Sequence, residues 1–317
     1  MKINFIYMKG VVTKSTGNLC QVLSMNQKHY SCKLKGKTRL MDIEFTNPIA
    51  VGDYVEFSFD NQNQIGIIEK INTRKNYIIR KSVNLSHKSQ VIASNIDLAL
   101  LIVTIQDPVT SLIFIDRFLV QAEAYGIKSK LIFNKTDLYD SKSKKKKNKY
   151  EEIYQKIGYD TMSTSIFDQN SISKLKRVLK NKVTVFAGHS GVGKSSLINL
   201  IDSNLDLKTK DISNYHNQGV HTTTYAEMFP IDFGGYIIDT PGIRGLGLID
   251  LDMNLLSRYF PEMIKASRSC KFNNCIHINE PDCGVLMQLN KKLISSSRYK
   301  NYLSMLEKNT NYRQNNY

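Results

Sequence analysis

The sequence contains no apolar run long enough to cross a membrane and no N-terminal pattern typical of a secretory signal peptide. These two absences argue against a membrane-embedded protein and against an exported one. The chain has 317 residues, 41% of them hydrophobic, and can therefore form two or three domains with sizeable cores. We predict a soluble cytoplasmic protein that does not bind membranes and acts as a monomer.

Acidic residues are scarce relative to basic ones. Aspartate and glutamate number 28 against 44 lysines and arginines, which gives a formal net charge of +16 and a pI near 9.5. Such an excess favours binding to a polyanion, because contacts with phosphates release counterions. A composition rich in Lys, Asn, Ile and Tyr also arises from AT-rich codon usage, so charge alone favours a nucleic-acid partner without establishing one.

Cysteine is also sparse, and three of the five cysteines fall within 14 positions. The pattern Cys270-x4-Cys275-x-His277-x5-Cys283 offers three thiolates and an imidazole, enough for a closed tetrahedral zinc site. Free thiols or a disulfide are the alternative, but disulfides are rare in the cytosol. We predict one structural Zn²⁺ on these four residues. A zinc-dependent hydrolase is a less favoured hypothesis, because four protein ligands leave no open position for water.

Three short motifs indicate a guanine-nucleotide site. Residues 134–137 form an N-K-x-D motif, in which the Asp137 carboxylate can accept two hydrogen bonds that guanine offers and adenine does not. Residues 188–195 form a G-x-x-x-x-G-K-[ST] phosphate loop between a predicted strand and a predicted helix. Residues 239–242 form a D-x-x-G motif, which senses the γ-phosphate. The three motifs together make a non-nucleotide function improbable.

The motifs supply the predicted nucleotide ligands. We expect Lys194 to pair with the β- and γ-phosphates, the Ser195 hydroxyl to bind Mg²⁺, and His189 to be a spacer within the loop. The predicted GTP-binding set is Asn134, Lys135, Thr136, Asp137, Ser165, Gly188, His189, Ser190, Gly191, Val192, Gly193, Lys194, Ser195, Ser196, Asp239 and Gly242.

Two further nucleotide-binding elements depart from the usual pattern. Ser165 begins a Ser-Ile-Phe triplet where an S-A-K loop would contact guanine O6, so the lysine of that loop is missing. The run 219–224 lies where switch I belongs, and either Thr222 or Thr223 is expected to bind Mg²⁺ together with Ser195 and Asp239. The pattern does not separate the two threonines.

The chain also lacks the glutamine that positions the attacking water in many GTPases. Ile243 follows the D-x-x-G motif, where many GTPases have a water-positioning Gln, so we expect slow intrinsic turnover. His221 is the nearest candidate for the missing role, and a purely structural loop histidine is the alternative. We therefore predict His221 and Lys194 as catalytic residues. A protein that binds RNA and uses the nucleotide only as a ligand is the other hypothesis, which Ile243 favours.

The order of the motifs is circularly permuted, because N-K-x-D precedes the phosphate loop, whereas Ras-like GTPases have the loop first. This order, followed by C-x4-C-x-H-x5-C, resembles the RsgA (YjeQ/YloQ) family of permuted GTPases in small-subunit ribosome assembly. The similarity covers nearly the whole chain, including residues 52–55, 115–119 and 260–262. Val220, the Ser-Ile-Phe triplet and a Lys-rich insert after N-K-x-D depart from the family pattern.

The resemblance implies a multi-domain α/β protein. An N-terminal all-β OB-fold (1–75) and a C-terminal helical zinc-binding domain (249–317) are expected to flank a permuted P-loop GTPase domain (76–248). Alternating apolar residues at 30–34 and 55–59 independently predict short strands in the first domain. The resemblance further implies that the GTP form binds the small ribosomal subunit and its 16S-type rRNA, and that the subunit stimulates hydrolysis to GDP.

The lysine-rich segment 142–149 has two possible interpretations. Six of the eight residues in 142–149 are lysines. Blocks of like charge usually form a solvated, flexible loop, which we predict here. Contact with rRNA is the alternative.

Overall fold

The first five strands close into a small barrel. A computed structural model of the chain describes residues 5–16, 19–35, 47–81, 89–205, 226–239 and 251–314. The barrel strands are β1 (Phe5–Thr16), β2 (Leu19–Ser24), β3 (His29–Leu34), β4 (Tyr54–Asp60) and β5 (Ile65–Ile71). Their order is β1-β2-β3-β5-β4, and β4 returns to pair with β1. Strands β3 and β5 pair in parallel, and the other neighbours pair antiparallel, as in an OB-fold. The predicted barrel is confirmed.

Alternate side chains of these strands fill the barrel. Val12, Val22, Phe57 and Ile68 are buried in one cluster. Gly66 permits the close approach of β3, because a Cβ atom at this position would lie 2.5 Å from the Cys32 sulfur. The interior is thus packed with side chains, which leaves the outer surface for contacts.

A hairpin connects the barrel to a mostly parallel sheet. Strands β6 (Tyr77–Lys81) and β7 (Ser89–Ser94) pair with each other. The sheet strands are β8 (Leu98–Val103), β9 (Ser129–Phe133), β10 (Asp160–Ser163), β11 (Val183–Ala187), β12 (Glu227–Pro230) and β13 (Tyr236–Asp239). They lie in the order β10-β9-β8-β11-β13-β12, and β12 alone of these six runs antiparallel. All six side chains of β8 are buried, as expected of a central parallel strand.

Helices cover both faces of this sheet. The helices α1 (Leu112–Ala124) and α2 (Ser141–Ile157) pack on one face, and α3 (Gln169–Leu179) and α4 (Lys194–Ile201) pack on the other. Each face has its own apolar cluster, because neighbouring residues of a strand point to opposite sides. The architecture is that of a doubly wound nucleotide-binding domain.

Helix α2 corrects one expectation. The lysine run lies in its first half, so the prediction of a flexible loop is wrong. The Asp140 carboxylate caps the helix by accepting from the Ser143 backbone N–H at 2.7 Å, and Gly158 ends it at φ 116°. Lysine has a good helix propensity, and Tyr154 anchors the helix because its side chain is completely buried.

The barrel joins the sheet through the pairing of β1 with β12. Strand β1 pairs antiparallel with β12 at Lys14 and Glu227, whose side chains form an ion pair at 3.2 Å. A buried pair, Asp53 with Arg74 at 2.7 Å, stabilises the segment after the barrel. The two β units are therefore one continuous eleven-stranded sheet.

The C-terminal part is helical, as predicted. A 3₁₀ segment (Met253–Tyr259) leads to α5 (Pro261–Ser267), α6 (Gly284–Asn290) and α7 (Ser296–Gln314). Among the described residues, no helix combines the length and apolar character needed to span a membrane.

A buried ionic network attaches α7 to α1. The Arg298 guanidinium donates to Asp116 and Glu262, each at 2.8 Å, and the Arg298 and Asp116 side chains are each 1% exposed. Asn301 and Tyr154 also donate to Asp116, at 2.6 and 2.7 Å. Burial alone would lower the pKa of Arg298, but the two carboxylates outweigh it and hold that pKa above its usual value. Arg298, Asn301 and Tyr154 all donate to Asp116, which suits the ionised carboxylate.

Candidate functional site

Four of the predicted nucleotide elements meet at one edge of the sheet. The N-K-x-D motif follows β9, Ser165 follows β10, the phosphate loop follows β11, and Asp239 ends β13. These four strands are parallel, so their carboxyl ends lie at the same edge. Ligands of open α/β sheets bind at this edge.

Asn134 connects the base-reading motif to the phosphate loop. Its side chain is buried and donates from Nδ2 to the Val192 carbonyl at 2.9 Å. Its Oδ1 accepts from the Thr164 hydroxyl at 2.9 Å. Gly193 must lack a side chain here, because φ is +93° and a Cβ atom would lie 2.5 Å from Asn134 Nδ2. The two motifs are thus held together by contacts that need no ligand.

The other members of N-K-x-D contact the neighbouring loops. Asp137 is exposed, and its carboxylate accepts from the Ser165 hydroxyl at 2.6 Å. Thr136 donates through its hydroxyl to the Thr164 carbonyl at 3.1 Å. Lys135 has φ 59°, and its ammonium donates to the Asp107 carbonyl at 2.7 Å. The structure therefore brings Ser165 to the base motif although the lysine of an S-A-K loop is absent.

The phosphate loop is curled around its own lysine. Lys194 Nζ donates to the carbonyl oxygens of Gly188 and His189, at 2.8 and 2.7 Å. Gly188 has φ +142°, and a Cβ atom there would lie 2.6 Å from the Ile102 carbonyl oxygen. Gly191 also has positive φ, and Ser190 is exposed in the same turn. The loop backbone is shaped to face an anion at the start of a helix.

The first turn of α4 and the end of β13 lie beside this loop. Ser195 and Ser196 follow Lys194 in α4 and are both partly exposed. Asp239 pairs in register with Phe186 of β11, the strand that leads into the loop. The predicted residues His221, Thr222, Thr223 and Gly242 lie outside the described residues.

His189, predicted to be a spacer in the phosphate loop, contacts a neighbouring helix. Its imidazole stacks on the Phe114 ring of α1, with 3.8 Å between centroids and 29° between planes. Burial lowers the pKa of His189, and the Lys194 charge lowers it further, so the neutral imidazole is favoured. The stack links the phosphate loop to the helix that carries Asp116.

The predicted metal ligands also meet, at a separate place. One donor atom from each of Cys270, Cys275, His277 and Cys283 can be chosen so that all four lie within 4.8 Å of one another. His277 Nδ1 lies 3.7 Å from the Cys270 sulfur and 3.4 Å from the Cys283 sulfur, and those two sulfurs are 3.9 Å apart. A disulfide has a sulfur–sulfur bond of about 2.0 Å. The four cluster residues can hold a metal ion.

Neighbouring groups orient the loop that carries the cluster. The Glu280 carboxylate accepts from the backbone N–H groups of Ile276, Ile278 and Asn279, at 2.6, 2.8 and 3.2 Å. The Tyr299 hydroxyl donates to the His277 carbonyl at 2.8 Å. The Gly284 N–H donates to the Cys270 sulfur at 3.2 Å, a contact typical of a metal-binding thiolate.

Sequence reasoning missed several supporting residues. Thr164, Asp107 and Phe114 each contact a predicted ligand, but they lie outside the motifs and gave no pattern to read. Glu280 lies between the predicted ligands His277 and Cys283 in the sequence, and this position could have indicated a supporting role. Nothing in the residues around Arg298 indicates that its guanidinium is buried.

Known proteins match this chain along its length. A family description, RsgA GTPase, matches residues 71–249, and another, RsgA N-terminal domain, matches residues 9–68. The small ribosomal subunit biogenesis GTPase RsgA of Flavobacterium psychrophilum is 50% identical over 302 residues, covering 95% of this chain and 93% of that protein. The small ribosomal subunit biogenesis GTPase RsgA 2 of Bacteroides thetaiotaomicron is 48% identical over 300 residues, covering 95% and 96%.

Solved structures agree with the sequence matches. The crystal structure of YjeQ from Thermotoga maritima has a TM-score of 0.78 and 34% identity, and covers 96% of this chain and 98% of that one. The circularly permuted GTPase YloQ has a TM-score of 0.75 and 30% identity, and covers 97% and 96%. The permuted order of the nucleotide motifs in this chain agrees with the description of YloQ as a circularly permuted GTPase. The chain belongs to the RsgA family of circularly permuted GTPases.

Proposed function

We propose that this protein assists late maturation of the small ribosomal subunit in the cytoplasm, acting as a monomer. It binds the subunit and its 16S-type rRNA in the GTP form and hydrolyses GTP to GDP and phosphate when the subunit stimulates it. The convergence of the base motif, the phosphate loop and Asp239 at one sheet edge carries this proposal, together with the names of the relatives.

The nucleotide roles follow from the positions of the side chains. Asp137 is exposed and receives guanine N1–H and the 2-amino group, while Ser165 holds its carboxylate in place. Lys194 is already directed into the phosphate loop and pairs with the β- and γ-phosphates. Residues 188–196 present backbone N–H groups to the phosphates.

Ser195 and Asp239, with Thr222 or Thr223, are the residues that would hold Mg²⁺. Ser195 lies in the first turn of α4, directly after the loop, and Asp239 ends the strand beside β11. Hydroxyl and carboxylate oxygens suit this hard cation. When bound, the ion would neutralise charge on the β- and γ-phosphates. Gly242 would report the γ-phosphate through its backbone N–H, and His221 would orient the attacking water.

Zinc is the metal that fits the cysteine–histidine cluster. In a tetrahedral site with Zn–S bonds of about 2.3 Å, sulfur–sulfur separations are about 3.8 Å, and sulfur–nitrogen separations are about 3.5 Å. The distances of 3.9, 3.7 and 3.4 Å between the cluster atoms are close to these values. Four protein donors complete the coordination, so the site is structural.

We assign an RNA-binding module to each side of the GTPase domain. We assign residues 1–75 to the OB barrel, 76–248 to the GTPase domain and 249–317 to the zinc-binding domain. OB barrels commonly bind single-stranded nucleic acids on an outer face. Because the segment after Asp239 leads directly into the C-terminal helices, a change at the γ-phosphate can alter their orientation.

Turnover of GTP with purified ribosomal particles tests this proposal. Hydrolysis should be slow for the protein alone and should rise strongly with small subunits but not with large subunits. Replacing His221 with Ala should lower the stimulated rate by about 10²–10⁴-fold and leave GTP affinity nearly unchanged. Equal stimulation by large subunits, or no stimulation by either particle, would contradict a role in small-subunit assembly.

A further inference from the structure

Helix α2 (Ser141–Ile157) carries positive charge that neither the nucleotide site nor the metal cluster uses. It contains seven lysines and two glutamates. Its inner side packs on the sheet through Tyr154, which is completely buried, with Tyr150 and Ile157 partly buried beside it. Because the apolar residues face inward, the outer side of the helix presents charge to solvent.

Four of these lysines form one stripe along the outer side. Lys142, Lys145, Lys149 and Lys156 are all exposed, and they are separated by three, four and seven residues. These spacings return to the same face of a helix, within an arc of roughly 60°. With a rise of about 1.5 Å per residue, the stripe is about 21 Å long. We call these four residues the α2 lysine stripe.

Acidic residues of α2 offset only part of this charge. Glu152 is exposed three residues after Lys149 and four residues before Lys156, on the same side of the helix. Lys147, outside the stripe, pairs with Glu151 at 2.9 Å, and Lys146 lies over the Tyr150 ring at 5.7 Å. No ion pair involves Lys145, Lys149 or Lys156 in the described parts of the chain. Lys142, Lys145 and Lys149 are three and four residues apart, and like charges at these spacings destabilise a helix. A bound polyanion would reverse this repulsion.

The helix is tied to the nucleotide edge at its first turn. The Ser143 hydroxyl donates to Gln106 Oε1 at 2.8 Å, and Gln106 Nε2 donates to the Leu138 carbonyl, next to the base motif. The stripe therefore begins close to the nucleotide site and is presented by a fixed helix. A surface held in this way can contact a large partner while the nucleotide is bound.

We infer that the α2 lysine stripe binds RNA phosphates on the small ribosomal subunit, as a contact in addition to those of the flanking modules. The inference rests on the proposed function, because the subunit supplies the RNA. A line of exposed, unpaired lysines matches the charge of a phosphate backbone and needs no base-specific groups. A lipid surface fits less well, because the apolar side of the helix is already buried against the sheet.

A charge-matched pair of variants tests the stripe. Replacing Lys142, Lys145 and Lys149 with Gln removes three charges and keeps good helix propensity. The control replaces Lys174, Arg177 and Lys180 with Gln, three exposed cations of α3 or its end on the opposite face of the sheet. The dissociation constant for small subunits is measured for both variants at several salt concentrations, with a non-hydrolysable GTP analogue.

The stripe variant should bind small subunits about 10–100-fold more weakly near physiological salt. The slope of log K against log salt should fall by about one for each lysine removed. The control should change affinity by less than about threefold, and both variants should bind GDP like the unaltered chain. Replacing the same three lysines with Arg should preserve binding, because the charge is retained.

Each other outcome has a defined meaning. Equal weakening in the stripe and control variants would reveal a general charge effect and overturn the inference, as would loss of binding in the Arg variant. Normal binding to protein-free small-subunit RNA, with weak binding to intact subunits, would assign the stripe to an acidic protein instead. Failure of the unaltered chain to bind small subunits would contradict the proposed function, whereas unchanged binding by the stripe variant would contradict this inference alone.

Discussion

The four candidate metal ligands come from 14 consecutive positions, whereas the nucleotide site draws its residues from four strand ends between Asn134 and Asp239. The metal cluster is held by a loop between two seven-residue helices, α5 and α6. Helices this short are marginal alone. The nucleotide site rests on a sheet whose central strand is completely buried. From this difference we expect the metal cluster to depend on its ligand for order, and the nucleotide site to depend on the fold around it.

Loss of the metal should have the largest effect. Replacing Cys275 with Ser should remove the ion, and structural zinc contributes on the order of 10 kcal/mol to folding in small modules. Residues 251–314 should become protease-sensitive, while GDP affinity stays close to that of the unaltered chain. Metal analysis and limited proteolysis measure both. Stoichiometric zinc in the variant, or the same loss of GDP binding as of C-terminal order, would show that the two sites are not independent.

Loss of the base-reading carboxylate should come next, and it should affect only the nucleotide site. Replacing Asp137 with Asn removes a charged acceptor of two hydrogen bonds, worth about 1.5–3 kcal/mol each. GTP affinity should fall by about 10²–10⁴-fold, and xanthine nucleotides should become the preferred ligands. Titration with fluorescent nucleotides and metal analysis check this expectation. ATP bound as tightly as GTP by the unaltered chain would contradict the assignment.

Loss of Arg298 should affect both regions, because this residue joins the C-terminal helix α7 to α1 of the nucleotide-binding domain. Its removal leaves Asp116 and Glu262 buried without their cation, which costs about 3–5 kcal/mol. We expect Arg298→Met to lower the free energy of unfolding by this amount and to loosen α7 from α1. Lys9→Ala is the control, because its ion pair with Glu56 is exposed and such pairs contribute little. Equal effects of the two changes would show that burial of the network is unimportant.

The smallest effect should be on the pKa of His189. Burial and the Lys194 charge place it below the ordinary value of about 6.5, so the folded chain binds a proton less readily than the unfolded chain. The stabilisation from this group is present above pH 6.5 and decreases as the pH falls through the folded pKa. An NMR titration should show the lowered pKa, and Phe114→Ala should raise it toward 6.5. An unchanged His189 pKa in that variant would show that Phe114 does not contribute to the burial of His189.

Much of the two candidate sites was predictable because most of their residues belong to short contiguous motifs. N-K-x-D, the phosphate loop and the cysteine–histidine pattern each require particular side chains at fixed spacing, and the structure places them at two clusters. Alternation of apolar residues predicted the barrel for the same reason, since successive side chains of a strand face opposite sides. The lysine run forms a helix and not the predicted loop, because the cap at Asp140 and the buried Tyr154 stabilise the helix.

The sequence by itself determined the permuted order of the nucleotide motifs, the candidate metal ligands and the family. Only the tertiary structure decided how these parts are connected. Thr164 supports Asn134 from 30 residues away, and Arg298 reaches Asp116 across 182 residues. Such contacts have no local pattern, because their free energy comes from burial and hydrogen bonding that exist only once the sheet has brought distant segments together.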